Sequence, residues 1–373
     1  MGSPAKVVIG LTGNIASGKS LVRRMLEDLG VFSVDTDSLG HRLYEANSES
    51  YHEVVRLFGA GILDPAGSIN RAALAGIVFS DPAALRQLEA VIHPPVFQAA
   101  RALISHAEQP AAVLESIILL ESSLTAACDT TWVVACSRET QIRRLMEQRG
   151  LSQAQAVQRI DAQSPQGEKI ARADVVIWND GDVNQLGQQV KQQYLASESP
   201  AGIWMTQNWQ GGSLTLTPVS ASDLLANTNT PPGISALPAD EIHRRHWLHA
   251  SVSGQSAGLI GLRFENLLCV VDAFYINGTT NLAEIWPALR AAIPAICRRW
   301  QCEAALLAVP AGAANGAASP ADFQPVTAGQ LPVSTWREHA IKLQLAGSRL
   351  FYQQYQENLL LIDPPTDSEP PRD

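Results

Sequence analysis

Residues 7–29 read VVIGLTGNIASGKSLVRRMLEDL, a short β-branched run, a glycine-bearing turn and an amphipathic stretch. Gly13 to Ser20 fit G-x-x-x-x-G-K-[ST] completely, with a strand predicted before the motif and a helix after it. In this setting Gly13 and Gly18 let the backbone of Asn14, Ile15, Ala16 and Ser17 wrap, so that successive N–H groups face an anion. The helix that follows adds the positive end of its dipole. Lys19 is the candidate clamp on the β- and γ-phosphates, and the Ser20 hydroxyl is placed for Mg²⁺. Leu21 offers its backbone N–H at the next position.

Downstream, VFSV at 31–34 runs into Asp35-Thr36-Asp37. Carboxylates at i and i+2 leave a strand on the same side. In a doubly wound sheet the C-terminal strand ends face the ligand crevice. One carboxylate there can take a proton from an attacking hydroxyl while the other orders metal-bound water. Asp37 has a second available role, capping the next helix.

Further strands are predicted at 111–115, 131–135 and 175–177, separated by helical stretches such as 21–29 and 140–149. This βαβ rhythm predicts an α/β unit over residues 1–196, a parallel sheet flanked by helices. Residues 197–239, rich in Ser, Thr, Asn, Gly and Pro, read as a linker with room for a short strand around 213–217. A second, α+β unit is expected over 240–365. Its strands are expected at 246–252, 256–264, 267–276 and 304–309, with a helix over 282–299 and another over 334–340. Residues 350–362 read as a helix running into a strand, and 366–373 as a disordered acidic tail.

The chain has 27 basic and 36 acidic residues, a net charge of -9. That excludes a nucleic-acid binder held by phosphate contacts and a polybasic membrane-surface protein. It leaves open a small anionic ligand, which needs only local positive charge. Five cysteines form no C-x-x-C pair, a pattern expected of reduced thiols in a cytoplasmic protein. His243, His246 and His249 are spaced at three, but Arg244 and Arg245 between them oppose a cation. They are expected to form an exposed basic entry to the second unit.

The N-terminal unit resembles the dephospho-CoA kinase family. The resemblance rests on IGLTGNIASGKS, on VFSVDTDSLGHRLY and on an acceptor-side region containing Arg71, Glu89, His93 and Pro94. It extends through a lid and nucleotide segment with Gln141, Arg144, Arg159, Gln163, Lys169, Asp174, Asn179 and Gly181. It implies a P-loop kinase that moves the γ-phosphoryl of ATP onto the ribose 3′-hydroxyl of dephospho-CoA, with Mg²⁺. Asp35 is then the base, and Arg144 and Arg159 close from the lid onto the phosphates. Asn179 lines the adenine site, while Asp35, Asp37, Arg71 and His93 serve the acceptor; His93 could equally cap a helix.

Five residues depart from the family pattern: Asn14 and Ala16 in place of common glycines, Leu21 in place of Thr, Ile117 in place of Pro, and Gln148 in place of the second lid arginine. Arg149 follows Gln148, but one residue turns a helical side chain by about 100°, so it is expected to point elsewhere. These departures leave a second reading, a catalytically weakened nucleotide sensor. The region from 246 faintly resembles a GNAT-type acyltransferase. It lacks that family's pyrophosphate loop, the corresponding stretch being 277–282. A non-catalytic unit for a protein partner or self-association is therefore expected.

Overall fold

The computed structural model describes residues 6–43, 48–65, 67–78, 80–197, 205, 207–212, 214–226, 237–265, 267–277, 282–310 and 323–355. The first unit alternates strand and helix. Its elements begin with β1 Val7–Thr12, α1 Lys19–Asp28, β2 Phe32–Asp35, α2 Thr36–Leu43, α3 Glu49–Phe58, α4 Arg71–Val78 and α5 Pro82–His106. They continue with β3 Ala111–Glu115, β4 Thr130–Ala135, α6 Arg138–Arg149, α7 Gln153–Asp161, α8 Gln166–Ile170, β5 Val175–Trp178 and α9 Val183–Ala196. The five strands pair in the order β2-β3-β1-β4-β5, all parallel. Strand β3 is buried at every residue, as a strand covered on both faces must be. Ile9, Leu11, Trp132 and Ile177 pack with Val22 and Leu26 of α1 and Val190 and Tyr194 of α9 on one face. The long α5, started by Asp81 and Pro82, covers the other through Val96, Ala100 and Leu103.

The second unit comprises β6 Trp209–Gly211, β7 Leu214–Val219, α10 Ala221–Ala226, α11 Ala239–His243, β8 His246–Val252, β9 Gln255–Glu265 and β10 Leu268–Ile276. It continues through α12 Leu282–Arg299, β11 Ala304–Pro310, β12 Gln324–Val326, α13 Ser334–Leu345 and β13 Ser348–Gln354. Its eight strands run β12-β13-β11-β10-β9-β8-β7-β6, antiparallel except where α12 links β10 to a parallel β11.

Two sequence expectations need correction here. The stretch expected as linker carries β6 and β7, and β7 pairs along its whole length with β8. Its alternation of buried Leu214 and Leu216 with half-buried Thr215 and Thr217 is a strand's period of two, so the short strand expected around 213–217 is present but belongs to the second unit's sheet rather than to a linker. Pro218 fits because β6 pairs only as far as Leu216, leaving Pro218 on an edge. The expected helix from 350 is β13, whose backbone is claimed by β11 on one side and β12 on the other. The expected strand end, the acidic tail and the stretch 278–281 lie outside the described residues. No helix among the described residues is long and apolar enough to cross a membrane.

The units share a core. Phe32 of β2 stacks on Trp300 at 6.3 Å between ring centroids, and Trp300 stacks on Phe264 at 4.8 Å. Around this stack lie buried ion pairs. Arg42 reaches Glu303 at 2.5 Å, and Arg24 reaches Glu265 at 2.8 Å. His246 bridges Glu27 at 2.9 Å and Asp28 at 3.0 Å. His243 and His246 are thus buried rather than an exposed basic entry, because α1 presents two carboxylates where the second unit docks.

Burial alone would push the His246 imidazole down. Its hydrogen bonds to Asp28 and Glu27 outweigh that and raise it above the ordinary 6.5. A raised histidine contributes stability that is complete below 6.5 and is lost as pH climbs through the folded value. Removing one partner from a buried ionic cluster costs about 3–5 kcal/mol. His246→Gln is therefore expected to lower the urea midpoint strongly at pH 6, with the gap to the parent shrinking toward pH 9. A pH-independent gap would sink this account.

Candidate active site

The phosphate loop joins β1 to α1 with the geometry its glycines allow. Gly13 has φ 150° and Gly18 φ 100°, and a Cβ on either would collide with Val134 O at 2.3 Å or Asn179 Nδ2 at 2.1 Å. Four bonds from the first unit's later segments hold the loop open. Ile15 N donates to Gln163 Oε1 at 2.7 Å, and Gln141 Nε2 donates to Ile15 O at 2.9 Å. Asn14 Nδ2 donates to Ser164 O at 2.9 Å, and Asn179 Nδ2 to Ser17 O at 2.7 Å.

Ala16 sits at φ 60°, a left-handed conformation that costs a residue with a Cβ about 1–2 kcal/mol. Glycine removes that strain against about 0.4–1 kcal/mol of added unfolded-chain entropy. Ala16→Gly is expected to raise stability by about 0.5 kcal/mol, read as a higher urea midpoint; a lower midpoint would refute the strain.

Lys19 is buried, and its Nζ donates to Gly13 O at 3.0 Å. Burial pulls its ammonium down, while Glu115, Asp37 and Asp35 together hold it up. Those three carboxylates stand together around the Lys19 ammonium. Asp35 ends β2 and accepts from Ser38 N at 3.0 Å and Ser38 Oγ at 2.8 Å. It, rather than Asp37, caps α2. Asp37 is pushed up to about 6, first by desolvation in the crevice and then by repulsion from Asp35. It stays open to solvent at its surface, and the Ile117 N–H donates to it.

Glu115 escaped the sequence reading. It ends the interior strand β3, accepts from Ser20 Oγ at 3.0 Å and Arg23 Nε at 2.7 Å, and is raised by burial. The strand-end rule that selected Asp35 applies equally to it.

Beside the loop opens a cavity of about 640 Å³ lined by Ile15, Ala16, Gly18, Lys19, Ser20, Leu21, Arg144, Asn179 and Gly181. Arg144 donates to Ala16 O at 3.1 Å, Ser17 O at 3.2 Å and Asn179 O at 2.9 Å. It therefore braces the loop's outer side instead of standing free. Arg149, expected to point elsewhere, lines this cavity together with Gln148, because α6 ends there and its last turn borders the opening.

The remaining sequence candidates lie elsewhere. Arg159 is exposed on α7 and lines none of the three cavities beside the site. Arg71 opens α4 and faces Glu338 of the second unit at 3.6 Å, on a separate cavity of about 210 Å³. His93 lies inside α5 with its ring on Phe97 at 5.5 Å, so it caps no helix. Asp35 lines a small cavity of about 60 Å³ with Arg23, Ser38, Phe264 and Trp300.

The family model for dephospho-CoA kinase matches residues 7–185. The dephospho-CoA kinase of Geobacter sulfurreducens is 42% identical over 188 residues, 50% of this chain and 95% of its own length. The solved structure of TT1252 from Thermus thermophilus is 36% identical with a TM-score of 0.47, covering 52% of this chain and 97% of that one. A GNAT-family acetyltransferase from Staphylococcus aureus is similar at 13% identity and a TM-score of 0.27, covering 38% of this chain and 99% of its own. Since the Geobacter relative is 42% identical and is matched over 95% of its length, the chain belongs to the dephospho-CoA kinase family.

Proposed function

We propose that the chain transfers the γ-phosphoryl of ATP to the ribose 3′-hydroxyl of dephospho-CoA, giving coenzyme A and ADP. The observation that carries this is the grouping of Lys19 with Asp35, Asp37 and Glu115 at the strand ends beside the nucleotide cavity. Loop amides and Lys19 hold the β- and γ-phosphates, so that charge spreading over the transferring group meets donors already in place. Asp35 takes the proton from the 3′-hydroxyl as its oxygen bonds to phosphorus. The bond to the bridging oxygen breaks, and ADP leaves with the electron pair. Ser38, bonded to both Asp35 oxygens, fixes the direction of that carboxylate.

The donor set fits Mg²⁺, which takes oxygen ligands and is held by one or two protein groups together with substrate phosphates. Ser20 Oγ, with Glu115 and Asp37 nearby, would hold it. When bound it neutralises charge between the β- and γ-phosphates.

ADP release coupled to a spectroscopic readout, with and without dephospho-CoA, tests the proposal. Acceptor-dependent turnover is expected. Nucleotide binding without such turnover would instead favour the sensor reading.

A further inference from the structure

The first unit does not close the nucleotide cavity alone. Beyond Arg24 its wall is built by Asp240, Arg244, Arg263 and Glu265 of the second unit. Arg24 marks the join. It stands one turn after Ser20 on α1, at the i,i+4 spacing that shares a face. Its Nη2 donates to Glu265 Oε1 at 2.8 Å and to Phe264 O at 3.4 Å. A nucleotide seated on the phosphate loop therefore lies between the two units.

Arg263 is held against this wall with some care. The β9–β10 pairing shifts register between Val271 and Ala273, a bulge of the kind that re-aims a side chain. The residue at the shift, Asp272, is buried and meets two arginines. Arg245 takes both of its oxygens, at 2.9 and 3.3 Å. Arg263 Nη2 adds a bond at 2.5 Å and also donates to His339 Nε2 at 3.2 Å. Asp272 is shared, because Arg245 also donates to Glu241 Oε2 at 3.0 Å, and Arg263 in turn faces Glu265 Oε1 at 3.8 Å. The pairing holds a guanidinium at the cavity wall, and its buried Nε has no hydrogen-bond partner among the described residues. Gln148, on the lining of the same cavity beside Arg149, brings no charge of its own.

We infer that the second unit completes the ATP site in cis, with Arg263 and Arg244 binding the nucleotide and Glu265 positioning Arg24. This rests on the nucleotide-site reading above and extends it to residues outside the family's own segment. Losing a hydrogen bond from a charged donor weakens binding about tenfold or more. In the full chain, Arg263→Gln is expected to raise the calorimetric Kd for ADP about tenfold and KM for ATP in parallel. KM for dephospho-CoA should stay within about twofold of the parent.

Arg244 is exposed at the rim, where it pairs with Asp240 at 3.1 Å and Glu241 at 2.9 Å; exposed pairs contribute little to stability, so Arg244→Gln keeps the test open should the first variant not fold. It is expected to raise the ADP Kd about threefold at low salt, with the effect shrinking as salt is added. An ADP Kd that Arg244→Gln and any folded Arg263→Gln leave unchanged overturns the inference. So does an equal rise in KM for the acceptor, which would mark a loosened fold. A parent chain that shows these ADP effects yet does not phosphorylate dephospho-CoA supports the two-unit site and overturns only the choice of acceptor.

Discussion

Lys19→Ala is expected to lower kcat/KM by about 10³-fold, the scale of removing one preorganised donor from a transition-state oxyanion. The size follows from the setting. Lys19 is buried, and its Nζ sits on Gly13 O inside the loop. The phosphates therefore meet a cation already desolvated and held, not one that must be gathered from solvent. Burial pulls the Lys19 ammonium below the ordinary lysine range, and Glu115, Asp37 and Asp35 oppose that shift. Removing that cation leaves three carboxylates facing the incoming polyphosphate, so nucleotide affinity should fall along with kcat. Steady-state ADP release with calorimetric ADP binding separates the two effects. A loss smaller than about tenfold would mean that loop amides alone carry the charge.

Asp35→Asn is expected to lower kcat by about 10²–10⁴-fold, the range of a general base in proton transfer. The substitution is nearly isosteric. Asparagine caps helices as well as aspartate does, so the bond from Ser38 N that starts α2 should survive. What is lost is the negative charge and the site that takes the proton. Thermal stability within about 1 kcal/mol of the parent, together with a collapsed kcat and an unchanged ATP KM, is the expected signature. A variant with near-parental kcat would move the base role to Asp37 or Glu115. Asp37, pushed up to about 6, would then show as a limb in the pH profile that Asp37→Asn removes.

The first unit was legible because its signals are local. A strand, a glycine-framed loop and an amphipathic helix lie within residues 7–29, and β4 and β5 carry β-branched runs of their own. The phosphate loop depends on φ angles at Gly13 and Gly18 that only glycine adopts at no steric cost. The roles of Arg144 and Arg149 were less legible. Whether a lid arginine faces phosphate, as Arg149 can, or braces backbone carbonyls, as Arg144 does, depends on where α6 ends against the cavity. Spacing along one helix does not contain that. Strand β7 was legible only in part: a short strand was expected around 213–217, but nothing in its Thr and Pro content showed that it joins the second unit's sheet beside β8.

The sequence by itself determined the chemistry: a phosphate loop, a carboxylate at a strand end, and the order of segments shared with a kinase family. Each is written within a few residues, where backbone geometry and side-chain type leave little choice. Only the tertiary structure decided what the rest of the chain does to that site. His246 meets Glu27 across a separation of 219 residues, and Arg24 meets Glu265 across 241. Such contacts follow from how two cores pack around Phe32, Trp300 and Phe264. Complementary charge and shape at a docking face have no periodicity and no fixed spacing. The second unit read as a separate module in the sequence, and in the folded chain it forms part of the nucleotide cavity's wall.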